Sequence, residues 1–194
     1  MLVNTPAFNL HNELQLRPET RVLDIGCGSG ALLELLASRV AFQRPPVGID
    51  LSSSMLQLGE TKRAALVEGS GVQLPFADES FEVVTCAHVA KHLDDTSLLL
   101  MLAEIRRVLS FGGIALLWEF APTRSRRLNR WNEFVITRGI QDCELRGYTT
   151  LSAFALEAGF EWVSNAHLRP FIYPPIPRLS VIFGKAPVGW REAP

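Results

Sequence analysis

Three cysteines, Cys27, Cys86 and Cys143, are all the chain has; they are odd in number, widely spaced and form no C-x-x-C pair. That argues against both a disulfide framework and a zinc site. Charge of one sign is lacking too. With a formal net charge of −1, there is no overall field to draw a polyanion such as nucleic acid, although local patches remain open. Long apolar runs are absent: "LLLML" is far too short for a membrane span. The opening "MLVNTPAFNL" carries no basic region ahead of an apolar core. These absences point to a soluble, untargeted protein of a reducing cytoplasm.

What is present suits one globular domain. The 194 residues are 47% hydrophobic and 20% charged, enough for one sizeable core and too few for two ordinary domains. Short β-like runs alternate with helical patterns from Arg21 to about Ala121, the signature of βαβ units and a parallel sheet. "RVLDI", "PVGID", "ALVEG", "FEVVTCA" and "GIALLWEFA" read as five strands in order. Leu32, Leu33, Leu36 and Val40 form the apolar stripe of the helix after the first strand. Serines can cap a helix in "LSSSMLQLGETKRAA". Leu98, Met101, Leu102, Ile105, Val108 and Leu109 repeat at helical spacing after a Thr96 cap, and Gly112 and Gly113 are expected to stop that helix. Beyond Pro122, "TRSRRLNRWNEFVITRG" suggests a helix with Leu128, Trp131, Phe134 and Val135 on one face. Thr150 can cap a short helix, and two β-like runs flank the proline-rich loop "RPFIYPPIP". The C-terminal "APVGWREAP" is expected to fray. The resulting division is residues 1–20 as a short N-terminal helix or extension, 21–121 as a cofactor-binding half and 122–194 as a substrate-side half.

The stretch "RVLDIGCGSGALLELLASRV" sets an acid, Asp24, beside a glycine turn at a helix N-terminus. Gly28 and Gly30 remove side chains that would keep a ligand from the backbone N–H groups. Asp50, twenty residues after Gly30 at the end of the second strand, is placed to accept hydrogen bonds from ribose hydroxyls. A pyrophosphate at this turn would meet the Asp24 carboxylate in a partly desolvated crevice, whereas an ammonium group would be welcomed there. S-adenosylmethionine has an amino group, a ribose and an adenine, and no phosphate.

With "GIDLSSSML", "LPFADESFEVV" and "EIRRVLSFGGIALL", the glycine motif "VLDIGCGSG" makes the chain resemble the class I S-adenosylmethionine-dependent methyltransferases, small-molecule branch. The resemblance spans Arg21 to Ala121 and more weakly the rest. It implies an α/β fold with a Rossmann-like, doubly wound seven-stranded sheet, mostly parallel with an antiparallel last strand. It also implies S-adenosylmethionine as cofactor, S-adenosylhomocysteine as product and a small-molecule acceptor at O, N or C. Asp24, Gly26, Cys27, Gly28 and Gly30 would then line the methionine and ribose side, Asp50 would bind the ribose diol, and Leu51 and Met55 would pack on adenine. The family usually has an acid where Ser70 stands; Gly71 still offers a backbone N–H there. Cys86 and Ala87 would run beside the methionine arm. Family members often carry a longer N-terminal cover than the twenty residues before the first strand here, so either the site is open or another segment covers it.

The sulfonium is already an electrophile, so the protein has mainly to align a nucleophile and exclude water. A proton acceptor helps with a hydroxyl, an enolizable carbon or an amine, and His88 and His92 stand four residues apart in "CAHVAKHLDD". On a helix they would share a face; either could instead cap the next helix or be merely exposed. Glu119, at the end of the fifth strand, points to the same edge or is a solvated strand end. No third ligand suggests a metal. Cys27 and Cys86 read as buried apolar fillers. Trp131, Phe134, Phe171 and Tyr173 either wall a pocket or belong to the core. "WEFAP" resembles the quinone-ring C-methyltransferases at the same strand, though the residues after it do not. Arg124, Arg126, Arg127 and Arg130 bind an anionic substrate or RNA backbone, or form a solvated face. No D/N-P-P-Y follows the fourth strand and no Pro-Cys nucleophile is found, which favours a small-molecule acceptor. A non-catalytic cofactor-binding regulatory subunit, an RNA-modifying methyltransferase and an NAD-dependent oxidoreductase stay open as competitors. Nothing in the sequence fixes an oligomeric state.

Overall fold

The computed structural model of the protein describes residues 10–59, 62–123, 125–136, 143–166 and 178–187, with side chains of 132–136 left aside. Its strands are β1 (Val22–Ile25), β2 (Val47–Asp50), β3 (Ala65–Glu68), β4 (Phe81–Ala87), β5 (Leu109–Phe120), β6 (Trp162–Asn165) and β7 (Arg178–Gly184). They form one seven-stranded sheet in the order β3-β2-β1-β4-β5-β7-β6. The first five are mutually parallel where they pair, and β7 runs antiparallel to both β5 and β6. This is the Rossmann-like arrangement the sequence led us to expect.

Alternation along the central strands builds two cores, one on each face. Leu23 and Ile25 of β1, with Val84 and Cys86 of β4, meet Leu98, Met101, Leu102 and Ile105 of helix α4 (Asp95–Val108) and Leu151 and Ala155 of helix α6 (Tyr148–Glu157). Val22, Val83 and Leu116 face the other way, onto Leu10 of helix α1 (Leu10–Glu13) and Leu33 and Leu36 of helix α2 (Ala31–Arg39). Each fully buried Leu or Ile here stabilises the fold by about 1.5–3 kcal/mol relative to exposure. The strand order reverses between β1 and β4. Their carboxyl ends therefore part to leave the crevice in which α/β sheets bind ligands.

Three helix boundaries differ from the sequence reading. Asp94, not Thr96, caps α4, its carboxylate accepting the Ser97 N–H at 2.7 Å; an acid two residues upstream also favours the helix dipole. The same helix ends at Val108 without using Gly112 or Gly113. Leu109 is fully buried and turns extended at once into β5, and the glycines serve an irregularity opposite Phe81 and Val83, where Gly112 has φ +76°. Helix α6 starts at Tyr148 after Gly147 rather than at a Thr150 cap. Its start is anchored instead by buried Arg146, which donates to the carbonyls of Ala90 and Leu93 and to the Asp95 carboxylate. Helix α3 (Ser53–Gln57), capped by Ser52, is shorter than its sequence pattern, and helix α5 (Arg126–Ile136) occupies the arginine-rich segment. The loop 169–177, with Phe171 and Tyr173, and Arg124 lie outside the described residues, as do the side chains of Phe134 and Val135.

Candidate active site

The glycine turn closes β1 and opens α2. Gly26, Gly28 and Gly30 all take positive φ, at 70°, 55° and 75°. At Gly26 the need is twofold: the left-handed backbone disfavours any side chain, and an added Cβ would lie 2.1 Å from Cγ2 of Val89. The segment after β4 therefore rests directly on the turn after β1. The N–H groups of Gly26 and Cys27 donate to the Ile49 carbonyl at 2.8 and 3.1 Å, tying the turn to β2.

Asp50 is fixed by that tie. One carboxylate oxygen accepts the Gly28 N–H at 2.7 Å and the other the Ser52 N–H at 2.8 Å. A carboxylate has about four lone-pair sites, so each oxygen keeps room for a ligand hydroxyl. Beside it, Leu51 and Met55 are 70% and 42% exposed, an apolar pair left open to a flat ring. Ser70 forms an isolated bridge with Gln73, and its hydroxyl accepts the Val72 N–H. Gly71 next to it packs so close to Ile25 that an added Cβ would sit 2.8 Å from Cγ2.

Asp24 lies beneath the turn, 3% exposed, accepting a hydrogen bond from the Thr85 hydroxyl at 2.7 Å. Burial, with the charge of Asp50 adding and Thr85 opposing, pushes its carboxyl up to about 7. An acid whose folded value lies above its unfolded value of 3.8 keeps its proton in the fold after the unfolded chain has lost it. The ligand-free protein accordingly loses stability as pH rises from about 4 to about 7, by up to about 4 kcal/mol. Asp24→Asn, which can still accept from Thr85, should flatten that decline and raise the ligand-free Tm at pH 8; thermal unfolding across the range checks it. Cys27 and Cys86 are both buried. Burial pushes the Cys27 thiol up to about 12 and raises that of Cys86, so both are inert fillers.

Past Cys86 and Ala87, the last residues of β4, the chain bends sharply. His88 has φ +62° and donates its backbone N–H to the Trp118 carbonyl at 2.7 Å. Its ring stacks on Phe120 at 4.4 Å between centroids and tilts against Trp118 at 6.3 Å. Its Nδ1 is buried without a hydrogen bond, 3.9 Å from Oε2 of Glu119. Glu119 is 3% exposed, so it is not a solvated strand end; β5 pairs with β7 there and the 3-10 turn Ala90–His92 covers it. Its oxygens accept the backbone N–H groups of Lys91 at 3.4 Å and Phe120 at 3.2 Å.

The two histidines do not share a helix face. His88 precedes the short 3-10 turn and His92 ends it, exposed, with Nδ1 3.8 Å from the Cys143 thiol. Burial and the neighbouring Lys91 charge lower its pKa. Trp131 is 60% exposed. Sequence reasoning did not single out Lys91, Phe120, Thr85 or Val89. Lys91 is buried, its ammonium donating to the His88 carbonyl and lying 5.7 Å from the Phe120 ring centre. Only register places Thr85 opposite Asp24, and only the packing of the turn reveals Val89. Among the described residues no cluster of three or more metal-ligating side chains occurs, and no helix is long and apolar enough to cross a membrane.

Residues 23–117 match a family described as a methyltransferase domain. Over 159 residues the chain is 30% identical to a demethylmenaquinone methyltransferase of Symbiobacterium thermophilum, covering 72% of this chain and 62% of that protein. The chain thus spans less than two thirds of that relative's length. Among solved structures, the YcgJ protein of Bacillus subtilis shares the fold with a TM-score of 0.74 at 17% identity, covering 93% of this chain and 98% of that one. Human N-acetylserotonin methyltransferase in complex with S-adenosylmethionine does so with a TM-score of 0.72 at 16% identity, over 93% and 51%. The matched span runs from the strand that carries Asp24 to the strand that leads to Glu119, so the crevice coincides with the stretch of this chain that is similar to a methyltransferase domain.

Proposed function

We propose that the chain methylates a ring carbon of a reduced, phenolic small molecule of the quinol type, with His88 as proton acceptor and Glu119 as its positioning residue. One observation carries the reading: a buried carboxylate stands behind the buried Nδ1 of a histidine whose ring is stacked on an aromatic side chain, one residue beyond the strand that borders the cofactor crevice. A histidine whose Nδ1–H faces a carboxylate presents Nε2 as a base. Relatives that act on demethylmenaquinone supply the acceptor class, and the Phe120 ring beside His88 suits a flat aromatic partner.

The crevice fits S-adenosylmethionine on its donor set. Asp50 takes the ribose hydroxyls, Leu51 and Met55 cover adenine, the Gly26–Gly30 turn lets the backbone approach, and Asp24 faces the amino acid end, where an ammonium would favour its ionised form. Bound there, the cofactor supplies a methyl group activated by its positive sulfur. Ala87 and Cys86 bring the end of β4 alongside that group. His88 takes the acceptor's hydroxyl proton, raising the electron density of the ring carbon that receives the methyl as the carbon–sulfur bond breaks. The ring proton displaced at that carbon is lost to solvent as the aromatic system is restored, and His88 returns its proton to the ring oxygen, so one proton leaves per turnover. Phe120 and Trp118 help keep water from the reacting carbon.

The test is to incubate the chain with S-adenosylmethionine and a short-tailed demethylnaphthoquinol kept reduced, beside simple phenols and amines, and to locate any added methyl by mass spectrometry and NMR. The reading expects a ring C-methyl product. Methylation confined to nitrogen or oxygen would overturn the acceptor class, and cofactor binding without turnover on any acceptor would favour a non-catalytic subunit.

A further inference from the structure

Helix α5 takes no part in the chemistry above, yet its composition is unlike the rest of the chain. From Ala121 to Ile136 the sequence holds four arginines and one acid, Glu133, in a protein of net charge −1. Arg126, Arg127, Arg130 and Trp131 are exposed, the last at 60%, while Leu128 and Asn129 are half-buried. At about 100° per residue, the four exposed positions fall within one arc of about 140°, in the order Arg126, Arg130, Arg127, Trp131. None of the ion pairs among the described residues uses these three arginines. The outward face is thus a cationic stripe with an indole along one border.

That stripe is fastened to the acceptor end of the molecule. Asn129 of α5 accepts from the Thr123 N–H and hydroxyl at 2.6 and 2.5 Å and donates back to the Thr123 carbonyl at 3.0 Å. Only Ala121 and Pro122 separate Thr123 from Phe120, the residue stacked on His88. We propose that α5 is a docking surface for an anionic lipid bilayer, lying along the headgroups close to the mouth of the active site. Arginine forks match lipid phosphates, and an indole beside them suits the headgroup boundary, where one end of the ring is wet and the other apolar. A single-stranded RNA would need a basic groove tracking its backbone; the stripe is one convex helix face on an otherwise slightly acidic chain. The inference rests on the quinol reading for its purpose: an acceptor dissolved in a bilayer is best met at the bilayer surface.

Co-sedimentation of the full chain with vesicles, without any acceptor, tests the surface separately from the chemistry. Binding is expected to vesicles of phosphatidylcholine mixed with phosphatidylglycerol, to be weak on phosphatidylcholine alone, and to fall as salt is raised. Arg126→Gln, Arg127→Gln and Arg130→Gln combined should reduce partitioning about a hundredfold, leaving the Tm and the S-adenosylmethionine affinity unchanged. Trp131→Ala should reduce it further. No binding to the anionic vesicles at low salt, binding that survives the triple substitution, or tighter binding to a single-stranded RNA oligonucleotide would each overturn the proposal. Should vesicles bind while the quinol is not methylated, the acceptor reading fails and the docking surface stands; the reverse result sinks the docking surface alone.

Discussion

His88→Ala is expected to lower kcat by roughly 10²–10⁴-fold, the usual contribution of a positioned general base, while the dissociation constant for S-adenosylmethionine stays within about twofold. The selectivity comes from position. His88 lies beyond the end of β4, and its ring contacts are Phe120, Trp118 and the Glu119 carboxylate, none of which belongs to the Asp50 crevice. Glu119→Gln should slow turnover less than loss of the histidine, because the amide oxygen can still face Nδ1 of the ring, and less than Glu119→Ala, which leaves nothing to orient it. Stability offers a second readout. A non-glycine residue at φ +62° carries left-handed strain of about 1–2 kcal/mol, so His88→Gly should be more stable than His88→Ala and equally inactive. A histidine kept only for packing would show the same order in stability but little loss of rate in either variant. Thermal unfolding reads the strain, and single-turnover kinetics separates the two cases.

Asp50→Ala is the counterpart on the cofactor side: the S-adenosylmethionine dissociation constant should rise by at least about a hundredfold. A hydrogen bond to a charged acceptor contributes about 1.5–3 kcal/mol, and the carboxylate offers one to each ribose hydroxyl. The structure adds a cost the sequence did not disclose. Asp50 also accepts the N–H groups of Gly28 and Ser52, so its removal loosens the glycine turn and should lower the Tm as well as the affinity. Asp50→Asn, able to accept at only one of its two positions, should fall between. Thermal shift reads both effects at once: cofactor at a hundred times its dissociation constant adds about 2.7 kcal/mol to the wild type and far less to the alanine variant at the same concentration.

Much of this arrangement was legible from residue patterns because it depends on local chemistry. The run from Val22 to Ile25, the glycines after it and Asp50 at the next strand end form a motif whose parts are set by backbone geometry, so their order in the chain carries their order in space. Helix ends were less legible because competing signals lay close together: Asp94 and Thr96 both suit a cap, and Gly112 with Gly113 look like a helix stop although buried Leu109 has already turned the chain. Glu119 was ambiguous for a different reason. Whether a strand-end acid is wet or dry depends on the antiparallel partner β7 and on the turn after β4, neither of which its own neighbours reveal. The contact between Val89 and Gly26 and the bond from Thr85 to Asp24 require register, which periodicity does not supply. Asp24 shows most clearly what the three-dimensional arrangement adds. The sequence marked it as an acid hostile to phosphate; its burial makes it an acid near neutrality, ready to be ionised by a cationic ligand.

That last property bears on the central claim, that the crevice at the ends of β1 and β2 is built for a nucleoside with a positively charged amino acid tail. Isothermal titration of the chain with S-adenosylmethionine, repeated near pH 7 in buffers of different ionisation heat and set beside NADH, is the most direct test. Saturable heat with S-adenosylmethionine, with proton release as Asp24 ionises, and none with NADH is the expected result. Saturable heat with NADH and none with S-adenosylmethionine would contradict it.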